Sequence, residues 1–276
     1  MGRAMNDALS RLGFQVHPYD RSGCDIRSLD ALLECTRGLG PGDVVVNAAA
    51  WTDVKAAEQE PGEAFEANVL GSMNIAIAAK RAGAACIYFS TDYVFDGRKE
   101  SAYVESDPPN PLNAYGGTKL AGEALTCSIA PQHYVARVAT VFGRAPGRQR
   151  LNFVDKLLTT APGAKVELQS EGSISPTYAS DAAELTGQLL AKQAPYGVYH
   201  LSNAGACTWY ELGAEVRASC GLDIIVARAD TSPSADIRRP LYSALASERL
   251  AVVGISPKPW RDGLRRYLQL AGRLRT

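Results

Sequence analysis

The chain has 276 residues, with 29 Lys and Arg against 29 Asp and Glu, so its formal net charge is zero and its pI about 6.8. That length holds one large α/β domain, or a domain with a smaller lobe, and the balanced charge without any Lys/Arg-rich block excludes a nucleic-acid or anionic-membrane footprint. Forty-six per cent apolar and 21% charged is ordinary globular composition; the longest apolar runs, such as VVVNAAAW, are strand-sized, and the N-terminus lacks the apolar core of a secretory signal.

Cys24, Cys35, Cys86, Cys127, Cys207 and Cys220 stand far apart, with no C-x-x-C pair. They read as buried free thiols in a reducing cytoplasm rather than as zinc ligands or a disulfide framework.

In chain order, MGRAMNDALS reads as a helix already under way: Met1, Ala4, Met5, Ala8 and Leu9 recur at helical spacing. FQVHPYD (14–20) reads as a strand and SLDALLECTRGL as a helix stopped by GPGD. DVVVNAAA (43–50) is a buried-strand run, residues 61–83 one long helix ending at Gly83, and ACIYFSTDYVF (85–95) a second buried strand. NAYGGTKLAGEALTCS is a helix and HYVARVATVFG a strand. Continuous apolar strands between helices predict a doubly wound parallel sheet covered on both faces, an α/β fold.

Past Gly143 the rhythm loosens. GRAPGRQR reads as a loop, LNFVDKLLTTA as a helix, SISPTYASDAAELTGQLLAKQ as a turn running into a helix, and GVYHLSNAG as a short strand. TWYELGAEVRASC is a helix capped by Thr208, and two helices split by Pro257 and Pro259 close the chain. The expected organisation is a dinucleotide-binding domain over 1–145, N-terminally truncated, and a mainly substrate-binding lobe over 146–276, partly interleaved with it. The lobe is expected over the carboxyl edge of the sheet, where open α/β sheets bind ligands.

The chemistry concentrates in FSTDYVFDG and NPLNAYGGTKLAGE. Tyr115 and Lys119 are four apart and project from one helix face. An ammonium beside a phenol is expected to lower its pKa, making it a proton donor usable near neutral pH. Ser90 and Thr91 end a buried strand, so a hydroxyl faces the carboxyl edge and can hydrogen-bond a substrate carbonyl. Y-x-x-x-K alone also fits a solvated helix face; after a strand ending in Ser-Thr it is far more specific. His17, His133 and His200 have no partner pattern and read as structural; Trp51, Trp209 and Trp260 read as packing.

These segments, with DVVVNAAAWTDV, SPTYASDAAEL, RRPLYSAL and GISPKPWRDGLRRYL, resemble the dTDP-4-dehydrorhamnose reductase family of the extended short-chain dehydrogenase/reductases over nearly the whole chain. The resemblance implies Thr91, Tyr115 and Lys119 as the catalytic triad. Tyr115 would donate the proton, Lys119 would tune it and hold the nicotinamide ribose, and Thr91 would orient the sugar C4 carbonyl. It implies NADPH or NADH contacts at Gly2, Asp25, Ile26, Ala48, Ala49, Ala50, Asn68, Ser90, Tyr115 and Lys119, and Tyr93 with Thr91 and Tyr115 in the sugar pocket. Asp25 also fits a helix cap, Asn68 a satisfied helix polar group, and the small residues of NAAA tight packing. Asp20 and Arg21 favour opposite cofactors, NADH and NADPH.

The implied partner is a nucleotide sugar, with a homodimer possible. Magnesium, used by some relatives, has no ligand cluster here to support it. A non-catalytic regulatory subunit of the same fold, and another nucleotide-sugar reductase or epimerase, are the alternatives.

Two departures from the family stand out. The family opens with an apolar strand and a G-x-x-G-x-x-G turn before the first helix; here only Gly2 stands, at the place of the last glycine. The favoured expectation is a misassigned start with about a dozen more residues upstream, against a chain that begins here and binds dinucleotide poorly. Thr140 stands where the family usually carries a tryptophan against the sugar, and Lys55 where an aspartate is common.

Overall fold

The structure is a computed structural model that describes residues 1–143, 151–229 and 237–275. The loop expected over 143–150 lies, beyond Gly143, outside the described residues. The first half runs α1 (Gly2–Arg11), α2 (Leu29–Cys35), β1 (Val44–Asn47), α3 (Val54–Gln59), α4 (Pro61–Phe65), a π-helical turn (Glu66–Leu70), α5 (Gly71–Ala82), β2 (Ala85–Thr91), a 3-10 turn (Asp92–Val94), α6 (Ala114–Ile129) and β3 (His133–Val138). The second half runs β4 (Val141–Phe142), α7 (Phe153–Leu158), β5 (Lys165–Gln169), β6 (Thr177–Tyr178), α8 (Ala179–Ala191), β7 (Gly197–His200), α9 (Trp209–Cys220), β8 (Ile225–Ala229), α10 (Glu248–Val252) and α11 (Trp260–Leu270).

The main sheet has the order β1-β2-β3-β7, parallel throughout, with Val46 opposite Ile87, Phe89 opposite Ala136 and Arg137 opposite His200. Side chains alternate across it. Ile87 and Phe89 point into a core with Met5, Ala8 and Leu9 of α1 and Ala182, Leu185 and Leu189 of α8. Cys86 points the other way, against Ile75, Ala76 and Ala79 of α5 and Leu32 of α2. This is the doubly wound arrangement expected from the continuous apolar strands. A separate core joins Phe142, Val154, Leu212, Val216, Trp260, Leu264 and Leu268, under the paired β5 and β8. Thr208 caps α9 as expected: its hydroxyl accepts from Glu211 N while the Glu211 carboxylate accepts from Thr208 N, a capping box.

Three expectations need correction and one needs refinement. Residues 14–20 are not a strand; they run as irregular chain with Phe14 and Tyr19 exposed. A strand exists only where a neighbour offers matching backbone groups, and among the described residues β1 pairs with β2 alone. The helix expected over 61–83 runs unbroken to Ala82 and stops at Gly83, but it carries a π-helical turn between α4 and α5, and α3 precedes it with Asp53 as its cap. The strand over 85–95 ends at Thr91, where the chain turns into the 3-10 segment. The strand over 133–143 breaks after Val138, because Thr140 adopts φ 41°, a left-handed conformation that a β-branched residue takes at a cost.

Candidate active site

β2 delivers Ser90 and Thr91 to the carboxyl edge of the sheet, and α6 lies across that edge. Its start is set by Asn113, whose side chain accepts from Gly116 N at 2.8 Å. Two glycines let the helix close in. A Cβ on Gly116 would stand 2.2 Å from Tyr93 O, and one on Gly122 would stand 2.4 Å from the Tyr88 hydroxyl and 2.5 Å from Asn68 O. Tyr115 and Lys119 therefore both reach β2 from one face of α6.

The half-buried Tyr115 presents its hydroxyl beside the Thr91 side chain. Thr91 Oγ1 in turn donates to Asp92 Oδ1 at 3.1 Å and accepts from Tyr93 N at 3.2 Å. Asp92 is buried and also bonded to Ser243; burial raises its carboxyl to about 6. Tyr93 packs edge-on against Tyr115 at 5.8 Å and meets the Arg239 side chain.

Lys119 is 2% exposed. Its Nζ donates to Phe89 O, two residues back along β2, at 2.6 Å and sits 4.0 Å over the Tyr88 ring. Burial lowers the ammonium to about 7, with the Glu123 carboxylate opposing the fall. The sequence expectation that Lys119 depresses the Tyr115 phenol is not met. Burial raises Tyr115 well above 10, with the Thr91 side chain acting against that, and the neighbouring charge that touches it is Asp92. The ammonium is held against Phe89 O instead.

The expected cofactor residues form a band along the same edge. Gly2 opens α1 beside Ala48, at the carboxyl end of β1: a Cβ on Gly2 would stand 3.7 Å from that of Ala48. Ala48 and Ala50 are half-buried and Ala49 is exposed, its N bonded to Asn47 Oδ1. Asn68, in the π turn, is buried and fully engaged. Its Oδ1 accepts from Trp51 N at 2.8 Å, and its Nδ2 donates to Trp51 O and to Thr118 Oγ1 of α6. It clamps the 48–51 turn to α6. The buried Ser90 hydroxyl has no partner among the described residues.

Asp25 does not cap α2; Ser28 does, accepting from Ala31 N. Asp25 is gripped by Arg27, which with its backbone N–H holds the carboxyl at about 2. Both line a cavity of about 390 Å³ with Ser28, Glu66 and Leu70. Ile26 packs against Gly71, and Asn74 Nδ2 donates to the carbonyls of Ile26 and Arg27. Asp92, Arg239 and Ser243 were not singled out from sequence. Asp92 stands inside the quoted STDYVF segment and Arg239 and Ser243 inside the quoted RRPLYSAL segment, but the two segments lie more than 120 positions apart and nothing local tells that they meet.

Among the described residues there is no cluster of His, Cys, Asp and Glu fit to hold a metal, and no helix long and apolar enough to cross a membrane.

A doubly wound sheet carrying a Ser-Thr strand end, and a Tyr–Lys helix against it, defines the class: a Rossmann-like protein of the extended short-chain dehydrogenase/reductase type. The family model described as RmlD substrate binding domain matches residues 1–272, and the chain belongs to that family. It is 36% identical over 230 residues to the spore coat polysaccharide biosynthesis protein SpsK of Bacillus subtilis, covering 82% of this chain and 79% of that one. It is 33% identical over 270 residues to dTDP-4-dehydrorhamnose reductase of Mycolicibacterium smegmatis, covering 96% and 80%. Among solved structures, the dTDP-4-dehydrorhamnose reductase of Clostridium acetobutylicum superposes with a TM-score of 0.90 at 30% identity, covering 98% of this chain and 95% of that one. The enzyme of Bacillus anthracis in complex with NADP superposes at 0.89 and 27% identity, with the same coverage.

Proposed function

We propose that this chain is a dTDP-4-dehydrorhamnose reductase. It reduces the C4 ketone of dTDP-6-deoxy-L-lyxo-4-hexulose to the alcohol of dTDP-L-rhamnose, with NADPH or NADH as the reductant. The observation that carries the reading is the Tyr115 phenol set beside Thr91 at the end of β2, with Lys119 one turn along the helix and bonded to the same strand.

The residues present fit a dinucleotide. Small side chains at Ala48, Ala49 and Ala50 allow close approach at the carboxyl end of β1, the unpartnered Ser90 hydroxyl offers a buried donor, and the cavity at Asp25 and Arg27 offers room at the far end of the band. When bound there, the nicotinamide supplies a hydride to C4. Phe89 O uses one of the three Lys119 N–H donors, leaving others for a ribose hydroxyl. Asn68 serves this site through Trp51, holding the 48–51 turn, rather than by direct contact.

The protein's own part is proton delivery. Burial keeps Tyr115 protonated across the neutral range, so it is a donor ready for the alkoxide forming at C4. Thr91 stands beside that phenol and, once the phenolate forms, turns its own proton from Asp92 onto the phenolate oxygen. Tyr93 and Arg239 wall the sugar side. The lobe beyond residue 146 holds the nucleotide.

The test is direct. The purified chain, given NADPH or NADH and the 4-keto sugar nucleotide, is expected to consume cofactor and substrate in equal amounts and to yield dTDP-L-rhamnose. Cofactor consumption with a different sugar stereochemistry in the product would assign it to a sibling enzyme.

A further inference from the structure

Behind Lys119, on the same face of α6 and one turn along, stands Glu123, 4% exposed. Arg137 of β3, also 4% exposed, closes on it as a fork: Nε donates to Oε1 at 3.0 Å and Nη2 to Oε2 at 2.7 Å. The guanidinium lies 5.1 Å over the Phe95 ring, and its Nη1 has no partner among the described residues. Beyond it, on the adjacent strand, His200 is fully buried; its Nδ1 faces the carbonyls of Tyr103 and Ala246 and its Nε2 is unpartnered. A buried ion pair is weak evidence of stability, since desolvating two charges offsets their attraction. A core retaining one behind a buried ammonium points to another use.

We propose that Glu123 and Arg137 are positioning residues for Lys119: the buried Glu123 carboxylate, one helical turn behind, supports the ammonium, and the Arg137 fork fixes that carboxylate and moderates its field. The inference rests on the reductase reading for its catalytic consequence, but not for its test. The groups facing Lys119 are Tyr115 and Glu123 from α6, Tyr88 from β2 and, behind Glu123, Arg137 from β3 with His200 of β7. Tyr88 and Tyr115 are neutral phenols near pH 7, both pushed up by burial. Among the described residues Glu123 is the anion that acts on the ammonium, and it works against the burial that draws Lys119 down. Substrate reduction needs that ammonium to hold the nicotinamide ribose, so the pH at which it is lost sets the alkaline limit of turnover.

The experiment is the titration of Lys119 by carbon-13 NMR, in cofactor-free full-length protein labelled at lysine Cε, its resonance identified by its loss in Lys119→Arg. Glu123→Gln leaves the Arg137 charge uncompensated, and Lys119 is expected to lose its proton about one unit lower. Arg137→Met leaves the Glu123 charge undiluted, and Lys119 is expected to titrate higher. A pair that only braces the fold would weaken both proteins without shifts of opposite sign. Should either single variant fail to fold, Glu123→Gln combined with Arg137→Met removes both charges at similar volume; Lys119 is then expected about 0.5 unit or more lower. In all of them the alkaline limb of kcat/KM is expected to move with the lysine. A Lys119 titration unmoved in a folded variant overturns the proposal and leaves the reductase reading standing. Shifted titration without any turnover would sink the reductase reading and leave the charge coupling intact.

Discussion

The corner where α6 meets β2 and the outer edge at β1 belong to one sheet, yet they are built to different standards. At the corner two glycines let helix and strand approach to the limit of contact, and every residue of β2 is buried. Tyr88 bonds to the Lys119 carbonyl and the Lys119 ammonium to Phe89 O, and Tyr115 stands beside Thr91. At the edge, Val44, Val45 and Val46 are only half-buried, β1 has a single sheet neighbour among the described residues, and the chain before it carries exposed Leu12, Phe14 and Tyr19. The chemistry sits where packing is over-determined: a proton donor must be held within fractions of an ångström, and only a close-packed seam does that. The edge positions the 48–51 turn through the Asn68 and Asn47 side chains, a looser hold.

The comparison is broken most forcefully at Tyr115. Tyr115→Phe keeps the ring against Tyr93 and removes the donor; it is expected to lower kcat by about 10²- to 10⁴-fold with nucleotide-sugar affinity nearly unchanged. Stopped-flow cofactor oxidation beside a binding isotherm reads both, and full turnover would remove the assigned role.

Next in size are the core strands. Ile87→Ala, at 0% exposure, is expected to cost about 2–5 kcal/mol in urea unfolding, whereas Val45→Ala on the half-buried β1 is expected to cost less than half as much. Equal losses would mean that the edge is as tightly built as the centre.

The helix seam gives a sharper test. Gly116→Ala drives a methyl into Tyr93 O and is expected to cost at least about 1–3 kcal/mol, while Gly117→Ala, with nothing within 4 Å, is expected to gain about 0.5–1 kcal/mol from helix propensity.

The smallest effect is on pH dependence. Lys119 is lowered to about 7, so its ammonium is present below that pH and lost as pH rises through it, while Tyr115 stays protonated. A steady-state profile is expected to show kcat/KM falling above about pH 7 with a slope of one proton. A fall beginning only near pH 10 would implicate the phenol instead.

Much of the corner was legible in the sequence, because its elements are local. A strand ending in Ser90-Thr91 and a helix carrying Tyr115 and Lys119 obey simple periodicities, and the sheet follows from apolar runs that alternate with helices. What was not legible depends on partners far along the chain. The strand expected at 14–20 has the right residues, but strand formation is a property of a pair. The π turn that aims Asn68 at Trp51 is made of ordinary helix-forming residues and leaves no compositional mark. The electrostatics also went astray: four-residue spacing puts Lys119 and Tyr115 on one face, but Phe89 O and the Tyr88 ring claim the ammonium. Asp92 and Ser243 meet only because the chain beyond the main domain folds back over the end of β2.

The claim at the centre is that hydride reaches the sugar C4 while Tyr115 supplies the proton. Reduction of the 4-keto sugar nucleotide with cofactor deuterated at the transferable position, followed by NMR of the product, tests it in one step. The account predicts a single deuterium at C4 of dTDP-L-rhamnose, formed at a rate that collapses in Tyr115→Phe. Deuterium elsewhere on the sugar, or undiminished C4 labelling by the Phe variant, would contradict it.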